Sequence, residues 1–268
     1  MRVHTHNVCE FGAVPGDGKD DSAAVQRAID AAVEAGGGIV YAPAGRYTFR
    51  KRLTVRPGIT LRGEWKNPEQ TDAFEGITVF EIFMGKNDPE GAPFIKMLFA
   101  ACVRNLTFFY PDQDPKSMTP YAYTLDSVFN AVVRNATFIN SWQAVGHGAM
   151  TGSGGNLETQ HLYGTPLKTG LFINSGYDFN TASLIRFNPS YWIRFSALDP
   201  ARKTALKKHL HEAADGVVCT YQDGMMMSKI EVDGYRYGLH FKKYTSTAGV
   251  PRTASYGQIY ELALTNCR

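Results

Sequence analysis

Residues Asn7 to Glu64 read NVCEFGAVPGDGKDDSAAVQRAIDAAVEAGGGIVYAPAGRYTFRKRLTVRPGITLRGE. A Gly/Asp-rich loop leads into one amphipathic segment, with Val25, Ala28, Ile29, Ala32 and Val33 at helical spacing behind the capping candidates Asp20, Asp21 and Ser22. Gly36 to Gly38 end that helix, because its C-terminus needs positive φ. Short apolar runs follow at once: Ile39–Tyr41, Tyr47–Phe49, Leu53–Val55 and Ile59–Leu61, parted by Pro43-Ala44-Gly45 and Arg56-Pro57-Gly58. Strands this short and this dense predict a β-solenoid with a helix capping its first coil.

A solenoid must repeat, and this chain does. Val103-Arg104-Asn105-Leu106-Thr107-Phe108 returns as Val133-Arg134-Asn135-Ala136-Thr137-Phe138, and looser echoes surround Phe187, Val232 and Leu264. Taken as equivalent, these anchors imply a coil of about thirty residues with two insertions, one before Phe187 and one before Val232. Asn105 and Asn135 predict a short asparagine ladder in a turn; as Asn-Leu-Thr and Asn-Ala-Thr they also fit glycosylation sequons. The second insertion reads as a helix near 199–215, with Asp199 as cap, Pro200 in its first turn, Leu206 and Leu210 inward, and Arg202, Lys203, Lys207 and Lys208 outward. We expect a single domain over 1–268, with 7–64 as cap and first coils. The chain stops on a strand at Leu264 with no capping helix, so a continuation or a partner is expected to cover that end.

Composition narrows the class. A net charge of +3 gives no argument for a nucleic-acid partner, and 44% hydrophobic content suffices for a continuous core. Cys9, Cys102, Cys219 and Cys267 lie too far apart for a zinc motif and predict free thiols. No eighteen-residue apolar run suggests a membrane span, and the N-terminus runs almost directly into the fold, so a leader is expected either to have been removed or never to have existed.

The segment 7–64 resembles the N-terminal module of the pectate-lyase-like superfamily, which includes glycoside hydrolase family 28-related proteins and phage tailspikes. The resemblance implies an all-β, right-handed parallel β-helix acting on a polysaccharide, secreted or at the cell surface. A hydrolase of this kind requires no cofactor; a lyase would hold Ca²⁺ between paired acids. A tailspike-like protein would only bind its glycan, as a trimer.

For the chemistry, Asp178 and Asp223 stand the same distance before the Phe187 and Val232 anchors, so both fall at one position on adjacent coils. Such a pair suits an acid and its partner in glycoside hydrolysis, and an Asp in a Gly-rich stretch is also a common turn residue. Glu158 and His161 are further acid/base candidates. Tyr191, Trp192 and Arg194 offer ring faces and a guanidinium to a sugar, or alternatively pack the insertion onto the solenoid wall. Gly146-His147-Gly148 resembles the Gly-His-Gly of polygalacturonases, but the Asn-Thr-Asp and Arg-Ile-Lys that accompany it there are absent; His147 stands as a substrate-contact candidate.

Overall fold

The computed structural model describes residues 4–152, 154–245, 249–252, 254 and 256–268. Two long parallel sheets run the length of the chain. Sheet A contains Gly38–Tyr41, Ile59–Arg62, Cys102–Phe109, Val132–Phe138, Glu158–Gly164, Asn180–Phe187, Asp223–Asp233 and Tyr256–Thr265; sheet B contains Leu53–Val55, Ile95–Met97, Tyr123–Ser127, Gln143–His147, Thr169–Ile173, Asp215–Cys219 and Tyr237–Phe241. Successive strands alternate between the sheets, so each coil crosses B, turns, and crosses A. This is the parallel β-helix expected from the repeat.

The capping helix α1 spans Ser22–Glu34 and buries Val25, Ala28, Ile29 and Ala32 against the first coil. Asp21 sits at its N-cap, yet its carboxylate does not cap the helix. It accepts from the backbone N–H of Val14 (2.9 Å) and of Thr48 (2.9 Å), tying the Gly/Asp-rich loop to a strand. Between the sheets lies one core, in which Phe108 and Phe138 stack at 5.1 Å with their planes 14° apart.

From Cys102–Phe109 onward, each of the six sheet A strands bends at one residue with left-handed backbone: Asn105 (φ 60°), Asn135 (51°), His161 (56°), Leu184 (56°), Lys229 (55°) and Glu261 (55°). Asn tolerates this conformation best, which is why the sequence shows it first there. The Asn135 amide donates to Asn105 Oδ1 (2.9 Å), and His161 Nδ1 donates to Asn135 Oδ1 (2.8 Å), so the asparagine ladder gains a histidine rung. We predict that Asn135→Ala costs about 1–3 kcal/mol in urea unfolding, since it breaks two rungs and forces Ala into αL.

One expectation about spacing fails. The long step before Phe187 holds no insertion; it is two coils. Phe138 pairs with Gly164, and Gly164 with Phe187, in steps of 26 and 23 residues. Gly164 takes the anchor position because φ there is +150° and a Cβ would lie 2.0 Å from the Phe138 carbonyl oxygen. The 45-residue step before Val232 does hold an insertion. It forms α2 (Ser190–Phe195) and α3 (Pro200–Ala213), the latter capped by Asp199 through the Arg202 N–H at 2.8 Å. The last strand, Tyr256–Thr265, is exposed along its whole length.

Candidate functional site

The outer faces of the two sheets differ. Over the second half of sheet A runs a strap, residues 65–76. Trp65 donates its indole N–H to Thr137 Oγ1 (2.8 Å) and stacks on His161 at 6.5 Å. Further along, Tyr191 donates to Glu69 and the Arg194 guanidinium donates to the Pro68 carbonyl at 2.9 Å. Phe74 packs between Phe109 (5.4 Å) and Phe195 (5.2 Å).

These contacts settle where several expected site residues lie. Trp192 is 2% exposed and Tyr191 fully buried, so neither presents a face to a sugar; both seat α2 and the strap on the solenoid. Arg194 is held over the Tyr191 ring (5.5 Å) and by the strap. His161 is a ladder rung under Trp65, its pKa pushed down by partial burial and then by nearby Arg134. Glu158 forms an ion pair with Arg134.

His147 points into the core. It is wholly buried, with Nδ1 bonded to Ser127 Oγ and Nε2 to Thr159 Oγ1 (2.7 Å), so no substrate contact is open to it. Burial lowers its pKa to about 3. The native state therefore refuses a proton that the unfolded chain accepts below about pH 6.5, and this destabilises the fold progressively as pH falls from 6.5 toward 3. Relative to His147→Gln, wild type should lose roughly 1.4 kcal/mol per pH unit across that window in denaturant titrations.

Asp178 lies in a bend just before the strand Asn180–Phe187, with left-handed backbone, and Asp223 is the first residue of the strand Asp223–Asp233. The two aspartates are 45 residues apart, the offset that pairs Asn180 with Met225, but the bridge from Gly176 to Gln222 just before them is shifted by one, and it is Gly224 that lies against the Asp178 carbonyl. Beside them a recess of about 320 Å³ is lined by Phe179, Met226 and Tyr256, which are 82%, 51% and 71% exposed.

The outer face of sheet B is bounded along both edges by other elements, and in that sense forms a groove. On one side stands α3, whose His209 Nε2 donates to the Leu167 carbonyl (2.7 Å) and whose Arg202 pairs with Asp114 at 3.2 Å. On the other stand the turn 148–152 and the hairpin of Tyr244–Thr245 with Pro251–Arg252, joined by the bond from the Tyr244 hydroxyl to the Gly152 carbonyl (3.1 Å). Register places Lys96, Asp126, Gly146, Phe172, Val218 and His240 in one row across the floor. Tyr123, Gln143, Thr169, Asp215 and Tyr237 form a second row.

Within this floor, Lys96, Tyr123 and Asp126 come together, and none of them was singled out from the sequence. Gly146 makes room for them: a Cβ there would meet Asp126 Oδ1 at 2.7 Å and Tyr123 Cδ1 at 3.1 Å. The Asp126 carboxylate accepts from the N–H of Ala149 (2.9 Å) and of Met150 (3.2 Å). Asp126 is itself only 4% exposed, but unlike His147 it lies on the outer row beside side-chain-free Gly146; its burial dominates and raises its pKa to about 6, against the opposing pull of those N–H groups and of Lys96. Burial and then the Asp126 charge raise the Tyr123 phenol well above its ordinary value, so it stays a proton donor. Tyr123 stacks near-parallel with Phe172 at 6.3 Å, leaving two rings along the groove. Toward the far end, buried Asp215 is ringed by Arg236 (2.7 Å), His240 (3.2 Å) and Lys242 (3.5 Å), an excess of positive charge. Among the described residues no cluster of three or more His, Cys, Asp or Glu side chains has the geometry to hold a metal ion.

The fold is a parallel β-helix with aromatic, acidic and basic side chains along one outer sheet, and its relatives form a polysaccharide-active family. The chain belongs to the family described as rhamnogalacturonase A/epimerase, pectate lyase-like, which matches residues 5–194. It is 65% identical over 43 residues to mannuronan C5-epimerase AlgE5 of Azotobacter vinelandii, a match covering 16% of this chain and 4% of that protein. Alginate lyase 7 of the same organism is 63% identical over 43 residues, covering 16% and 5%. The chain thus spans a small fraction of these relatives. Among solved structures, the tailspike double mutant of E. coli bacteriophage HK620 superposes with a TM-score of 0.51 at 17% identity, covering 89% of this chain and 41% of that one; this likeness concerns the fold.

Proposed function

We propose that the chain processes a uronate-containing polysaccharide in the sheet B groove, by removing the proton at C5 of a uronate residue. The observation that carries this is Asp126: a carboxyl held near pH 6 with Lys96 on the adjacent coil and the Tyr123 phenol beside it. A C5 proton is acidified by the neighbouring carboxylate only if that carboxylate's charge is neutralised, and Lys96 is placed to do so. Asp126 takes the proton and the electron pair moves into the carboxylate. From there two outcomes are open: expulsion of the C4 oxygen with a proton from Tyr123, which is elimination, or return of a proton to C5 from the other face, which is epimerisation. The names of the short, highly identical relatives, mannuronan C5-epimerase and alginate lyase, support this chemistry. A polymer substrate of this kind places the protein outside the cell or on its surface in this reading.

With Asp126 as base, kcat/KM on mannuronan should rise from pH 5 to pH 7 with a midpoint near 6. Products read by absorbance of a new C4–C5 double bond and by NMR of the uronate configuration separate elimination from epimerisation. A profile flat through pH 6 would remove Asp126 from the base role.

A second reading keeps glycoside hydrolysis by Asp178 and Asp223. It is favoured by the two aspartates lying at the start of neighbouring coils and by the exposed Phe179 and Tyr256 beside them. New reducing ends without double bonds or epimers, abolished by Asp178→Asn but not by Asp126→Asn, would establish it.

A further inference from the structure

The outer face of sheet A carries a row that the groove does not use. Tyr41, Arg62, Arg104, Arg134, Gln160, Ser183, Ser228 and Tyr260 are in register, one per coil. Three arginines on consecutive strands stand about 4.8 Å apart along the solenoid axis. Like charges so close repel unless countercharged, and the compensation is incomplete. Arg134 pairs with Glu158; Arg62 lies 3.7 Å from Glu64 and over the Tyr41 ring at 5.5 Å. The Arg104 side chain, between them, has no hydrogen bond or ion pair among the described residues, and its Nε is buried without an acceptor, as is that of Arg62. A buried N–H left without an acceptor is costly, so the two arginines are kept in this row against a penalty, with their half-buried guanidinium ends left to meet an anion from solvent.

We propose that this row is a second polymer-binding surface, for a linear acidic polysaccharide lying along the solenoid axis on the face away from the sheet B groove. The strand spacing is comparable with the advance of one sugar in an extended glycan, so successive acidic groups would meet successive guanidinium groups. Arginine's fork matches carboxylate and sulfate alike. Beyond the charged rungs, Gln160, Ser183 and Ser228 continue the row with side chains that hydrogen-bond sugar hydroxyls. The surface would hold the polymer while the other face acts on it. It stands without the catalytic reading above.

Affinity electrophoresis through gels containing polygalacturonate, dextran sulfate, neutral dextran or single-stranded poly(dT) tests the assignment. The variants are Arg104→Gln and Arg62→Gln/Arg104→Gln, with thermal melts to confirm folding and Asp126→Asn as a reference that leaves this row intact. Wild type should be retarded by one or both acidic glycans and not by neutral dextran. Each arginine removed should weaken retention about tenfold and lower the slope of log K against log salt by about one. Stronger dependence on polygalacturonate assigns carboxylates, and on dextran sulfate, sulfates. Retention unchanged in folded Arg62→Gln/Arg104→Gln, equal retention by neutral dextran, or tighter Arg104-dependent retention by poly(dT) would overturn the proposal. Asp126→Asn retained like wild type but inactive would show that the two sites fail independently.

Discussion

Asp126→Asn is expected to lower turnover of a uronate polymer by at least about 10²-fold while the protein stays folded. The carboxylate has its pKa raised to about 6 by burial, with a lysine one coil away and a phenol three residues before it on the same strand. An amide there keeps the shape and cannot take a proton. Stability should move little, for two opposing reasons. Keeping the charge buried at neutral pH costs roughly 3 kcal/mol, judged from a pKa raised from 3.8 to about 6, and Asn removes that cost. Asn also gives up one acceptor for the N–H groups of Ala149 and Met150 and sets an NH₂ against one of them. Turnover and circular dichroism melts on the same preparation separate the two effects. Activity within a few-fold of wild type would exclude Asp126 as base.

The second large effect is structural. Trp192→Ala should destabilise the fold by about 3–5 kcal/mol, read from the urea midpoint. The side chain is 2% exposed and its backbone N–H is held by Thr165 Oγ1 at 3.1 Å, so truncation leaves a cavity beneath α2. Because α2 anchors the strap through the Tyr191–Glu69 and Arg194–Pro68 contacts, the strap should loosen as well, with faster amide exchange at residues 65–76. Were Trp192 a sugar platform, the same change would weaken binding and spare stability.

That contrast shows why some residues were legible in the sequence and others were not. An aromatic pair just after a strand looks the same whether it faces sugar or packs a wall. What decides between the two is a strap 122 residues away in sequence, and no local pattern predicts it. The cap was legible because its chemistry is local: helical spacing, then three glycines, then short strands. The Asn105–Asn135 rung was legible because both positions kept the side chain that tolerates αL best. His161, Leu184 and Lys229 hold the same backbone without that signature, so the ladder seemed short. The coil of residues 158–164 was missed because Gly164 replaces the apolar anchor where a Cβ would strike the Phe138 carbonyl. For the groove floor a signal did exist. Lys96 and Asp126 are separated by the same 30 residues as Asn105 and Asn135, one coil, and two opposite charges on one row of a strand-rich stretch mark an outward face. It was hidden because the strands of sheet B are short and Thr124, Leu125 and Ser127 around Asp126 are all buried, which blurs the alternation.

The central claim is that this groove removes a proton from C5. Incubating the protein with mannuronan in D₂O and reading C5 by NMR tests it most directly. The account predicts deuterium at C5 or loss of the C5 hydrogen, in wild type and not in Asp126→Asn. Shortened chains whose C5 positions retain protium throughout would contradict it.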